Sequence, residues 1–405
     1  MSQVGEAMRM SAMRGTLRRI NALAGEMRKK TDAELRAMTR VLRKRLAAGD
    51  SEKKLLPVAY AVAREACLRV LGIYPYDAQM LGAIALYDGA IAQMGTGEGK
   101  TFTAIMPLYL CALTGRSTIL VTMNEYLANR DAKLLSPLYE WLGLSVSVAV
   151  RENPKEMIST TEKKEIYKSD IVYTTGGALG FDYLLENLQT TEKNRFLPKF
   201  YFVVIDEADS ILLDMAQIPL VISGSRGEQS NLFEMADYFV STLTAGEDFE
   251  TEDEAVWLTS RGTQKAERFF RVKELYTKEN HALVRHIGLA LRAHFVFQRE
   301  KHYVCEGDQI SLLDANTGRI VEHTKLQAGQ HQALEAKEHL KITPQTRAKG
   351  SITFQDFYNS FPKLSGMTGT AGSDALELKE IYGLDVVEIP PNVPLIREDE
   401  KDRIF

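Results

Sequence analysis

The chain has 405 residues, 45% of them apolar and 26% charged, a balance that excludes a disordered protein and leaves room for two or three domains. A net charge of −4 excludes a globally basic nucleic-acid binder. Three scattered cysteines, Cys67, Cys111 and Cys305, with no Cys-x-x-Cys, exclude a thiolate zinc or redox site and suit a reducing compartment.

Taken in chain order, residues 1–45 concentrate twelve Lys/Arg against four carboxylates. Good helix formers predict helix over 9–48, broken where Thr31 and Glu34 match a capping-box pair, so one helix ends near Lys30 and the next starts at Thr31. Leu55–Tyr74 is a further helix with Val58, Ala61, Val62, Ala66, Val70 and Leu71 on one face. No apolar run approaches the roughly 20 residues of a membrane span, and the basic N-terminus lacks a secretory hydrophobic segment. These features predict a soluble, cytoplasmic protein.

From Gln79 the pattern changes. Ser117–Met123, Ser145–Val150, Asp170–Thr175 and Tyr201–Asp206 read as buried strands separated by helical stretches, which predicts a parallel sheet and an α/β domain. Beyond Asp206 the alternation stops. Residues 246–254 form an acidic run, Val284–Phe297 is helical, and His302–Cys305 and Gln309–Leu313 read as a hairpin about Gly307-Asp308. Asp385–Ile389 then resumes the strand grammar, followed by Pro390, Pro391 and Pro394. A mixed segment interrupting an α/β grammar predicts an inserted α+β domain.

The strongest chemical signal is Met94-Gly95-Thr96-Gly97-Glu98-Gly99-Lys100-Thr101. Its glycines allow a tight turn whose backbone N–H groups cradle phosphate, and the helical residues Phe102–Leu110 put a helix N-terminus behind it. Lys100 is expected to neutralise the β- and γ-phosphates and Thr101 to offer a hydroxyl to Mg²⁺, with Thr96, Gly97, Glu98 and Gly99 shaping the loop. Met94 departs from the strict GxxxxGK[ST] template; the match is to the TGxGKT form of helicase-like motors. A second signal lies 106 residues beyond Lys100, where Asp206-Glu207-Ala208-Asp209 follows the apolar run Tyr201–Ile205. Ligands sit at the carboxyl ends of such strands, so Asp206 is expected to hold Mg²⁺ through water and Glu207 to orient or deprotonate the attacking water. The loop has a glycine-rich surface turn as its lesser reading, and the acidic motif alone reads more readily as a solvated turn after a strand; together they predict an ATP site.

Gln79, 21 residues before Lys100, offers the donor and acceptor that adenine's edge requires, or is a plain exposed glutamine. Arg130, in Asn124–Asp131 after the strand Ser117–Met123, either contacts phosphate or pairs with Asp131. Leu364–Ala371 either senses the γ-phosphate or is a flexible return from the insertion.

TGEGKT with YDAQ, VTMNEYLANRDA, the GFDYL of Gly180–Leu184, DEADSILLD running into Pro219–Gly224, Asp314–Arg319, His331–Ala333 with Glu335–Glu338, Ser351–Gln355 and KLSGMTGTA together resemble SecA, the bacterial preprotein translocase ATPase, from about Leu17 to Phe405. The resemblance implies a RecA-like first nucleotide-binding domain over 1–218 and 367–405, with a preprotein cross-linking domain over 219–366. It implies ATP and Mg²⁺ as cofactors. Implied partners are the SecYEG translocon, unfolded preproteins with their signal peptides, anionic lipids beneath the basic N-terminal helix, and a second copy of the chain; nucleic acid is not among them. The implied location is the cytoplasm, peripheral to the inner face of the cell membrane. Gly95 stands where most members carry a basic residue, Val321–Gln327 lacks the usual arginines, and Val393 replaces an arginine, departures that suggest an accessory SecA. The family's second nucleotide-binding domain would follow Phe405, so a chain of this length is expected to bind ATP weakly and hydrolyse it poorly. A DEAD-type RNA helicase and a non-catalytic preprotein- or channel-binding module are the rival readings.

Overall fold

The computed structural model describes residues 3–152, 156, 158–225, 231–252, 255–307, 309–313, 320–321, 326, 328–343 and 346–393. Asp308 of the expected hairpin turn, the Asp314–Arg319 motif, most of 321–327 and the stretch from Pro394 onward fall outside them. The chain divides into two compact units, residues 1–222 with 350–405, and residues 223–349.

In the first unit the N-terminal helices are Gln3–Lys29, Asp32–Ala47, Glu52–Leu71 and Asp77–Tyr87. The break between the first two is set by Thr31, whose side chain accepts from Glu34 N while the Glu34 carboxylate accepts from Thr31 N at 2.8 Å. The third helix stops three residues before the expected Tyr74 because Gly72 takes the left-handed conformation.

Strands follow as β1 (Ala90–Gln93), β2 (Ser117–Thr122), β3 (Val146–Val148), β4 (Ile171–Thr175), β5 (Phe200–Asp206), β6 (Pro219–Ser225), β7 (Phe249–Glu252), β8 (Ala255–Leu258), β9 (Tyr303–Glu306), β10 (Gln309–Leu313), β11 (Ile320–Val321), β12 (Thr346–Thr353), β13 (Lys363–Thr368) and β14 (Asp385–Glu388). Seven of them make one sheet in the order β14-β1-β13-β5-β2-β4-β3, every neighbouring pair parallel. Alternate side chains leave a strand on opposite faces. Leu120, Tyr173, Phe202 and Val204 accordingly join the core beneath the N-terminal helices. Ile119, Val121, Val172, Val203 and Ile205 join a second core with Leu179, Phe354 and Phe357. Both faces are covered, which is why these strands read as continuous apolar runs.

Two sheet strands go beyond the expected set. Ala90–Gln93 is short and alanine-rich, and Lys363–Thr368, expected as a sensor segment or a flexible return, is instead a central strand between β1 and β5. It fits there because Gly366 carries no side chain: a Cβ at that position would lie 2.6 Å from Ala208 Cβ and 3.2 Å from Ile205 O.

The second unit is α+β, as expected. Helices Leu232–Ser241, Ser260–Phe270, His281–Phe295 and Gln330–Lys337 accompany the antiparallel pair β7-β8 and the antiparallel set β11-β10-β9. Its apolar clusters are its own, one about Phe239, Phe249, Ile287 and Leu291, the other about Phe233, Tyr303, Ile310 and Leu334. The expected insertion of 219–366 needs correction at its far end. The compact unit closes at Lys349, because Phe354, Phe357 and β13 bury their side chains in the sheet unit's core. The outgoing and returning strands, β6 and β12, pair with each other.

Candidate nucleotide-binding site

The phosphate loop springs from the carboxyl end of β1, inside the sheet. Met94 N donates to Thr368 O at 2.9 Å, so the loop leaves beside the tip of β13. Gly97 and Gly99 have φ of +86° and +81°, a conformation that strains any residue with a Cβ. A helix then starts at Lys100, running from Lys100–Thr103 into Ile105–Ala112, with Thr101 in its first turn.

Gln79 holds the loop from behind. Its Nε2 donates to Glu98 O at 2.9 Å and its Oε1 accepts from Tyr76 N at 2.9 Å. A Cβ on Gly99 would sit 2.2 Å from Gln79 Nε2. The glutamine is buried, 6% exposed, rather than a plain exposed side chain.

β5 ends at Asp206, with Glu207 immediately after it. Burial, with the Glu207 charge adding to it and Lys100 opposing, pushes the Asp206 carboxyl up to about 6. Glu207 has φ of +53°, a strained value for a residue with a long side chain. That turn aims it back across the cleft, and its Oε1 lies 3.4 Å from Lys100 Nζ. The lysine is 13% exposed and the glutamate 43%, so the pair sits at the mouth of the site, not in the core. Two residues far apart in sequence thus converge across one cleft.

The turn after β13, within the segment the sequence left as γ-phosphate sensor or flexible return, makes specific contacts to the acidic motif. Thr370 Oγ1 donates to Asp209 Oδ2, and Thr370 N donates to Thr368 Oγ1 at 3.3 Å. Although burial alone would raise it, hydrogen bonds from the Thr370 and Thr368 hydroxyls hold Asp209 below the usual carboxylate range. Gly369 passes over the loop; a Cβ there would be 3.6 Å from Thr96 Oγ1 and 3.9 Å from Lys100 Nζ. The signal for Asp209 was its place in the acidic motif, and for the threonines their spacing in GMTGTA. Arg130 pairs with Asp131, Nε to Oδ1 at 2.8 Å. Asp131 is near enough to Asp206 for its charge to act on it.

Among the described residues no cluster of three His, Cys, Asp or Glu side chains gathers to hold a metal alone. Asp206 and the Thr101 hydroxyl are hard oxygen donors, which suit Mg²⁺ shared with phosphates and water. A buried carboxylate lifted towards neutrality beside a lysine is a group whose charge a bound cation would stabilise. The donor set fits.

A covered parallel sheet with a phosphate loop at the end of β1 and a facing acidic pair at the end of β5 defines a P-loop ATPase domain. The SecA DEAD-like domain model matches residues 1–379, and the chain belongs to that family. It is 51% identical over 395 residues to the protein translocase subunit SecA 2 of Streptococcus gordonii, covering 96% of this chain and 50% of that protein. Against SecA 2 of Streptococcus agalactiae and of Staphylococcus epidermidis the identities are 47% and 46%, over 98% and 100% of this chain and 50% and 51% of theirs. The chain spans about half the length of the curated relatives it matches. A hypothetical ATP-dependent RNA helicase from Sulfolobus tokodaii aligns over 38% of this chain and 43% of its own at 22% identity, with a TM-score of 0.29, too low to bear on function. The family model and the SecA 2 relatives do not favour the RNA-helicase reading. No helix among the described residues is long and apolar enough to cross a membrane.

Proposed function

We propose that this chain is the nucleotide-binding front half of an accessory SecA-type motor that uses ATP to drive preproteins through the SecYEG channel. The observation that carries this reading is the convergence of Lys100 and Glu207 across one cleft, 3.4 Å apart, at the ends of β1 and β5. In it, the backbone N–H groups of 95–100 cradle the phosphates, Lys100 exchanges Glu207 for the terminal phosphate, and the freed Glu207 orients a water for in-line attack. Thr101 and Asp206 would hold Mg²⁺, which supplies charge neutralisation between the phosphates. Gln79 offers its remaining hydrogen-bonding capacity to adenine. Arg130 meets the reacting phosphate.

The unit 223–349 is read as the preprotein cross-linking domain, gripping unfolded chains and signal peptides. The basic helix Gln3–Lys29 is read as contacting anionic lipid on the cytoplasmic face of the membrane, and a homodimer is part of the same proposal. Support comes from the family and from the SecA 2 names of the relatives.

Glu207→Gln tests the motor. Binding of a fluorescent ATP analogue should persist while hydrolysis falls about 10²-fold or more, and a strain carrying the change should lose export of a subset of proteins. Unchanged hydrolysis and an unchanged set of secreted proteins would rule the motor out.

A further inference from the structure

A buried carboxylate is costly unless it is paired, and the helix Glu125–Trp141 carries one on its core-facing stripe. The buried positions are Ala128, Asp131, Ala132, Leu135, Leu138 and Tyr139, the three-and-four spacing of a helix packed on a sheet. Asp131 is only 3% exposed, and on packing grounds an apolar side chain would serve better there. Its partner is the residue next to it. Arg130 Nε donates to Asp131 Oδ1 at 2.8 Å, and Arg130 Nη2 lies 2.7 Å from the same oxygen. Consecutive helical side chains point about 100° apart, so the guanidinium must fold back along the helix to make this contact. It nevertheless stays 48% exposed. One edge of the fork, Nε and Nη2, is fixed on Asp131.

The place of this pair gives it a use. The helix follows β2, whose neighbour in the sheet is β5, with Val121 opposite Ile205. The pair therefore lies on the helix that leaves the carboxyl end of β2, beside the strand that ends at Asp206, and the Asp131 charge acts on Asp206. We propose that Asp131 is a positioning residue for ATP hydrolysis: it touches no substrate, but holds the Arg130 guanidinium in the orientation that meets the reacting phosphate. The inference rests on the ATPase reading of the site and on Arg130's part in it.

Single-turnover hydrolysis of ATP and titration with a fluorescent ADP analogue, both on the whole protein, separate these claims. Asp131→Asn should slow hydrolysis about tenfold to hundredfold and leave ADP affinity within about twofold. Arg130→Ala should do the same, the double variant should be no slower than Arg130→Ala alone, and Asp131→Glu should recover part of the rate. If Arg130→Ala is slow and Asp131→Asn is normal, the positioning role fails while Arg130's part survives. If both are normal, both fail. Multiplicative losses in the double variant also overturn the proposal, since Asp131 then acts by another route. Should Asp131→Asn not fold by thermal melting, Arg130→Lys decides: it keeps the charge and loses the fork, so a matching loss supports the proposal and a normal rate overturns it.

Discussion

Gly99 shows how narrowly the phosphate loop is specified at single residues. It combines φ of +81° with a backbone only 2.2 Å, at its missing Cβ, from Gln79 Nε2. Gly99→Ala should therefore cost about 1–3 kcal/mol of stability and abolish binding of a fluorescent ADP analogue, both readable on one sample by melting and titration. Asp206 gives a pH signature. Its carboxyl is raised to about 6 in the folded protein from 3.8, so its contribution favours folding fully below 3.8 and is lost as pH rises through 6. Asp206→Asn, neutral throughout, should melt higher than the parent at pH 7.5, by on the order of 2 kcal/mol, and the gap should close between pH 6 and 4. A gap that widens on acidification would contradict the burial of this carboxylate.

Among elements, β13 decides most. Its Gly366 packs against Ala208 and Ile91, so Gly366→Val should overpack the sheet, costing about 1–3 kcal/mol or more in urea unfolding. Thr370→Val removes the hydroxyl that reaches Asp209, and it should slow hydrolysis more than it weakens nucleotide binding if that contact holds the acidic turn in register. Strands such as Tyr201–Asp206 were legible because burial on both faces makes them uniformly apolar. β1 and β13 were not, for a physical reason. Ala90–Gln93 is too short and alanine-rich to be told from helix, and a glycine in the middle of β13 lowers its strand propensity while close packing demands it. The site followed the same rule. Lys100, Asp206 and Glu207 were legible from local motifs, as was the pairing of the neighbours Arg130 and Asp131, but the Gln79 bond to Glu98 and the Asp209–Thr370 contact depend on chain segments that meet only in the fold.

At the scale of the whole molecule, the two compact units each carry their own apolar clusters. Gln355 N donates to Ala216 O at 3.1 Å, so within the sheet unit the chain leaves and returns at nearly one place. Joining Ile222 to Gly350 through a short glycine-serine linker should therefore leave a folded sheet unit that binds a fluorescent ADP analogue with affinity near that of the parent; loss of binding with retained helix content by circular dichroism would contradict independence. The interior place of β13 also bears on how the protein is made. A ribosome delivers β1 and β5 long before Lys363, so the growing chain holds a sheet with a gap down its middle while 223–349 is being synthesised. The phosphate loop cannot dock on Thr368 until that last central strand arrives, so competence to bind nucleotide comes late in synthesis, after the intervening unit has had its chance to fold.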